Sequence, residues 1–184
     1  MRWFWVDRFT EFVASSHAVG HKGVALSDNF MHDHWDAYPT MPHSLMAEGM
    51  AQTGGLLVSE IYEFKELVVL AKFSKLVFHG ITRGGETITY RAQIDNLRDV
   101  GAVVLVTGHV GDELRAEGEI FFARLQKGGD TGEMRSADMP MRLFDPKDLA
   151  HWLHLVGIFE VGVKQDGTRM RAQDYGLPLE MAGK

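Results

Sequence analysis

Residues 30–58 read FMHDHWDAYPTMPHSLMAEGMAQTGGLLV, and the fold turns on how this stretch is interpreted. Two histidines, His32 and His34, open it on an expected loop or strand end, and Pro39 and Pro42 follow. Proline is tolerated in the first turn of a helix, so Pro42 signals helix entry, with Thr40 or Met41 near the cap. From His43 to Tyr62, apolar residues such as Leu45, Met46, Met50, Leu56, Leu57, Val58 and Ile61 fall on almost every face. A helix apolar all round is a buried helix. Within the stretch the helix carries one acid, Glu48. Burying a carboxylate is costly unless it has a partner or a task, which makes Glu48 the leading functional candidate. Gly49, Gly54 and Gly55 each cost about 1 kcal/mol against alanine in a helix interior. Close approach of the helix backbone to something flat, such as a sheet, is the expected compensation.

Strands are expected on both sides of this helix. Upstream, residues 3–13 are rich in Trp and Phe, and His17–Leu26 reads as a second strand pairing back. Alternation would place Phe4, Val6 and Arg8 on one face and Trp3, Trp5, Asp7 and Phe9 on the other. Downstream, four strands are expected over 67–78, 87–97, 102–110 and 114–125, separated by turn signals at Gly84-Gly85, Asp99–Gly101 and Gly111-Asp112. Short turns imply antiparallel neighbours. Residues 127–137 are polar and Gly-rich, as a linker would be. Asp145-Pro146 then supplies a cap and first-turn proline for a short helix to Val156, ending near Gly157. Asp166-Gly167 reads as a turn. We therefore expect a main unit over 1–126 and a C-terminal extension over 127–184 whose short helix packs on it.

Composition narrows the function. At 184 residues the chain can bury a sizeable core. A net charge of −6 argues against broad nucleic-acid binding. The absence of cysteine removes disulfides, thiolate catalysis and cysteine-based zinc sites. No apolar run reaches membrane-spanning length. The N-terminal MRWFWVDRF is interrupted by Asp7 and Arg8 with no cleavage-like segment after it, so a cytoplasmic protein with no membrane partner is expected.

The stretch from His34 to His43, HWDAYPTMPH, followed by EGMAQ from Glu48 to Gln52, resembles the motif of the FabA/FabZ family of 3-hydroxyacyl-acyl-carrier-protein dehydratases. In that family the pattern is H-F-P-G-x-P-x-M-P-G, then Glu or Asp and A-x-A-Q. The His-to-Glu spacing agrees without a gap, and Pro39, Met41, Pro42, Ala51 and Gln52 fall in place. Val6-Asp7-Arg8 and Gly84-Gly85-Glu86-Thr87 extend the likeness, which covers residues 3–125 and leaves the tail unexplained. The family's F-P-G is Trp35-Asp36-Ala37 here, and its helix-entry glycine is His43.

The resemblance implies an α+β hotdog fold, an antiparallel sheet wrapped around the central helix, in a homodimer or a trimer of dimers. It implies elimination of water from a (3R)-hydroxyacyl thioester, carried by acyl carrier protein or coenzyme A, to give the trans-2-enoyl product in fatty-acid synthesis, with no cofactor. His34 is the implied base, because imidazole titrates near neutrality. Glu48 is the implied acid, its pKa expected to rise by desolvation. The two come from different subunits in that family. Trp35, His43 and Gln52 are the implied substrate contacts, with the His43 N–H stabilising the oxyanion. Two other functions are weighed: a hotdog acyl-thioesterase, in which the acid acts on water, and a dehydratase-like subunit that binds acyl groups without turnover. Other features have plain readings. His32 and His34 on one strand face suggest a metal weakly, as no second ligand cluster has suitable spacing. His151 and His154 read as surface and packing residues, and the Trp3–Trp5 aromatics as core or dimer contact. Lys72, Lys75, Arg83 and Arg91 read first as a solvated face and second as a basic patch for an acidic carrier.

Overall fold

Short turns set most of the sheet. A computed structural model of the protein describes residues 4–34, 37–125 and 146–177, apart from the side chains of 33, 34 and 146. Strand β1 (Arg8–Val13) pairs antiparallel with β2 (His17–Gly23). After two helices, α1 (Asn29–His34) and α2 (His43–Ile61), come β3 (Leu67–Phe78), β4 (Thr87–Arg98), β5 (Gly101–Val110) and β6 (Glu113–Leu125). The β4–β5 and β5–β6 hairpins are antiparallel, β2 joins β4, and β3 pairs across the chain with β6. A C-terminal segment then runs through α3 (Pro146–Leu155), α4 (Ile158–Val161), β7 (Gly162–Val163) and one 3-10 turn (Ala172–Tyr175). Strand β7 adds parallel to β1, giving the order β3-β6-β5-β4-β2-β1-β7. The sheet curls around α2, as the resemblance implies. No helix among the described residues is long and apolar enough to cross a membrane.

The glycines of α2 do what their cost suggested. A Cβ on Gly49 would stand 2.2 Å from Tyr90 Cζ, and those on Gly54 and Gly55 would stand 3.1 and 3.2 Å from the Phe122 ring. Tyr90 is fully buried in the middle of β4. Its neighbours across both ladders are themselves glycines, Gly20 on β2 and Gly108 on β5. The ring fills the space those residues leave, and the helix backbone rests directly on it.

Several expectations are corrected. The first strand begins at Arg8 rather than residue 3, and the second ends at Gly23. Because residues 4–7 precede the strand, alternation does not govern them, and Trp5 and Val6 are both buried. His32 and His34 lie on the short helix α1, so the argument that alternate histidines share a strand face does not apply. The N-cap of α2 is Pro42 itself, with no side-chain cap bond, while Thr40 is buried and bridges to Arg83. The α2 helix is not apolar all round. Ser44 and Glu48 are exposed and Gln52 and Ser59 half-buried, a stripe at spacings of four and seven that stays open. The 127–137 linker, the Asp145 cap, Trp3 and the chain end lie outside the described residues.

Candidate active site

The open stripe of α2 holds the acid. Glu48 is exposed, so the expectation of a desolvated carboxyl inside apolar surroundings is not met in the single chain. Its position is nonetheless held. Gln52, one helical turn on, donates from Nε2 to Glu48 Oε1 at 2.9 Å. The Gln52 amide is held in turn, because its Oε1 accepts the Trp5 backbone N–H at 2.8 Å. An amide whose carbonyl faces a backbone donor must turn its NH₂ the other way, here toward the carboxylate. Gln52, expected as a substrate contact, is therefore engaged with Glu48 and Trp5.

Trp5 also reaches the histidine-bearing helix. Its ring meets Phe30 of α1 edge-on, with centroids 5.0 Å apart. His34 closes that helix one turn beyond Phe30. One residue thus touches both elements that carry the motif, by a main-chain donor on one side and an aromatic edge on the other. The His34 side chain and Trp35 lie outside the described residues. His32 is accounted for locally, by a 2.7 Å bond between Nε2 and the Leu26 carbonyl.

His43 opens α2. Its ring stacks on Phe78 at 4.4 Å, almost parallel, and its Nε2 lies 3.2 Å from the Gly80 carbonyl oxygen. Five residues along a helix is a rotation of about 140° from Glu48, so the ring and the carboxyl leave different faces. What His43 offers is its main-chain N–H. The Pro42 carbonyl is taken by the Leu45 and Met46 N–H groups, and the first N–H groups of a helix have no intrahelical acceptor. The four basic residues do not form one patch. Lys72 and Lys75 lie on β3, Arg91 lies three strands away on β4, Lys75 is paired with Glu117 at 3.0 Å, and Arg83 lies over the Tyr38 ring.

A second carboxylate of α2 went unremarked in the sequence, and it is the buried one. Glu60 is 7% exposed. It accepts from the Tyr175 hydroxyl at 2.8 Å and from the Ser15 N–H at 3.1 Å. Burial pushes its carboxyl above the usual range, and the Tyr175 and Ser15 bonds oppose the rise. The argument that an acid in an apolar helix needs a partner describes Glu60 better than Glu48. The same signal would have found it; its partners, in a turn and in the distant tail, had none.

The comparisons with known proteins match this architecture. A model of the FabA-like domain matches residues 4–119. A 3-hydroxyacyl-[acyl-carrier-protein] dehydratase FabZ of Clostridioides difficile is 34% identical over 123 residues, 66% of this chain and 87% of that protein. The enzyme of the same name from Koribacter versatilis is 32% identical over 117 residues, 62% of this chain and 75% of that one. Among solved structures, an uncharacterised protein of Pyrococcus horikoshii shares the hotdog fold with a TM-score of 0.56 at 17% identity, covering 69% of this chain and 88% of that one. A Streptococcus mutans protein solved with acetyl-CoA does so with a TM-score of 0.55 at 13% identity, covering 69% and 94%. With its antiparallel sheet closed on one glycine-studded helix and the family model spanning most of that unit, the chain belongs to the FabA-like family.

Proposed function

We propose that the protein is a hydro-lyase that removes water from a 3-hydroxyacyl thioester, with acyl carrier protein or coenzyme A as carrier. The observation that carries this reading is the Trp5 junction. It fixes the Glu48 carboxyl through Gln52 while packing against the helix that ends in His34. In the homodimer argued below, His34 of one copy takes the α-proton, the electrons of that C–H bond form the new double bond, and the β-hydroxyl leaves as water with a proton from Glu48 of the partner subunit, each carboxyl and each histidine-bearing helix being held by the Trp5 of its own chain. Charge gathering on the thioester oxygen is met by the His43 N–H at the uncapped start of α2. The dehydratase names carried by relatives at 32–34% identity support the same reaction.

The reading includes a homodimer. Strand β3 is a 12-residue edge, paired among the described residues only with β6 and mostly exposed or half-buried. A long open edge invites a partner strand. In such a pair the exposed Glu48 of one copy would be covered by the other, which would supply the desolvation the single chain lacks. The test is incubation with 3-hydroxyacyl thioesters of several chain lengths, following enoyl absorbance and free thiol together. Enoyl without thiol, lost in both His34→Ala and Glu48→Gln, is the expected result. Thiol release that survives His34→Ala would identify a thioesterase, and acyl binding without either product a non-catalytic subunit.

A further inference from the structure

The family match ends at residue 119, yet the C-terminal extension is built into the site's support. It runs along the outer side of β1. The Phe9 N–H donates to the Val156 carbonyl at 2.7 Å, the Ala14 N–H to the Val163 carbonyl at 2.9 Å, and Arg8 pairs with Glu160 at 2.9 Å. At the upper end, Trp152 of α3 is buried and stacks on Phe4, with centroids 5.1 Å apart and planes 22° from parallel. Phe4 and Trp5 lie ahead of β1, outside its ladder, which with the Asp7–His21 bond begins only beyond them. Beside the Trp5 ring on Phe30, the Trp152–Phe4 stack is one of the contacts that hold that segment. Its next residue, Trp5, is the donor that fixes Gln52 and hence Glu48.

We propose that Trp152 is a positioning residue for Glu48, acting through Phe4, Trp5 and Gln52, so that the extension belongs to the catalytic apparatus. The proposal rests on the dehydratase reading of Glu48. The Trp152 ring backs Phe4, the backed segment keeps the Trp5 N–H on Gln52 Oε1, and the anchored amide keeps its Nε2 on the carboxyl. Removing the ring frees the segment, and the acid loses its orientation. Trp152 is separated from Glu48 by three residues in this line of contacts, so substrate binding is expected to change little while the chemical step slows.

The experiment uses the full chain with a 3-hydroxyacyl thioester. Trp152→Ala should lower kcat by about ten- to a hundredfold, the scale of a misplacement transmitted from outside the site, with KM within about twofold. Trp152→Phe keeps an aromatic stack and should restore most of the loss. If Trp152→Ala does not fold, Phe4→Leu cuts the same line more gently and should cost about three- to tenfold in kcat by the same reasoning. On a Gln52→Ala background Trp152→Ala should add less than about twofold, since coupled residues are not additive. Leu153→Ala, a fully buried neighbour on the same helix, should lower the melting temperature and leave kcat unchanged. An unchanged kcat in Trp152→Ala, full additivity with Gln52→Ala, or an equal kcat loss in Leu153→Ala overturns the proposal. Glu48→Gln, run in parallel, separates the two levels. If it keeps activity, the dehydratase reading fails and the positioning role with it; if it is inactive while Trp152→Ala is normal, only the positioning role fails.

Discussion

Replacing Gly49 by alanine sets two effects of known size against each other. By helix propensity alone the change gains about 1 kcal/mol. The new methyl carbon would stand 2.2 Å from Tyr90 Cζ and 2.3 Å from its hydroxyl oxygen, where carbon contacts settle at about 3.5–4.0 Å. More than an ångström must be found. The ring cannot swing outward, because Tyr90 is fully buried and its strand is laddered on both sides. Overpacking of this kind costs about 1–3 kcal/mol, and the rigid surroundings place it at the upper end. The net effect is about 2 kcal/mol of destabilisation, a fall in melting temperature of roughly 4–8 °C for a chain of this size. Calorimetry or circular dichroism reads it directly. Gly55→Ala is the internal comparison. Its methyl would meet the Phe122 ring, closely at Cε1 alone (3.2 Å) and at ordinary contact distance elsewhere, on a half-buried side of the helix, so propensity should offset the contact and leave the melting temperature within about 2 °C of wild type. Tyr90→Leu should relieve the Gly49→Ala defect, the double variant being more stable than the two singles add to. A Gly49→Ala protein that melts at or above wild type would refute the close-packing account of these glycines.

Three further outcomes are expected. Gln52→Leu removes both the acceptor for the Trp5 N–H and the donor to Glu48; it should cost about 1 kcal/mol in stability and lower kcat at least tenfold, read by thermal melts and enoyl formation. Glu60 has a folded-state pKa above its ordinary 4.5, so between the two values the folded protein holds more protons than the unfolded. Stability should then fall as pH rises from about 4.5 through the raised pKa and level off above it, and Glu60→Gln should remove that slope from the melting temperature against pH. Leu70→Lys puts charge on an exposed residue of the β3 edge and should give a monomer in sedimentation velocity, with the fold retained in circular dichroism.

The parts of the fold that were readable in the sequence are those written in local signals. The bounds of α2 follow from Pro42 at one end and the loss of apolar periodicity near Tyr62 at the other. The strands from Leu67 to Leu125 follow from β-branched runs broken by Gly and Asp. The α3 helix follows from Pro146 and the left-handed Gly157 beyond it. The histidine pair was misplaced because a six-residue segment carries too few periods to tell strand from helix. Glu48 lies on α2 as expected, but its exposure is hidden in the sequence by an apolar majority, which masks the stripe formed with Ser44 and Gln52, each four residues from it. The ties that complete the site span long distances in the chain. Trp5 reaches Gln52 across 47 residues, and Tyr175 reaches Glu60 across 115. Neither pairing leaves a trace in local pattern, since the first depends on how the segment ahead of β1 crosses α2 and the second on which edge of the sheet the tail follows.

The choice of edge has a consequence for how many copies can join. A twisted sheet with both borders open can recruit neighbours at either side without limit, the route to fibrils. Here one border of the described sheet is β7, only two residues long, and the other is β3, twelve residues long. A two-residue border offers little backbone to a neighbouring strand, so in the homodimer proposed above the long β3 border is the one suited to strand pairing, while the short β7 border discourages further growth.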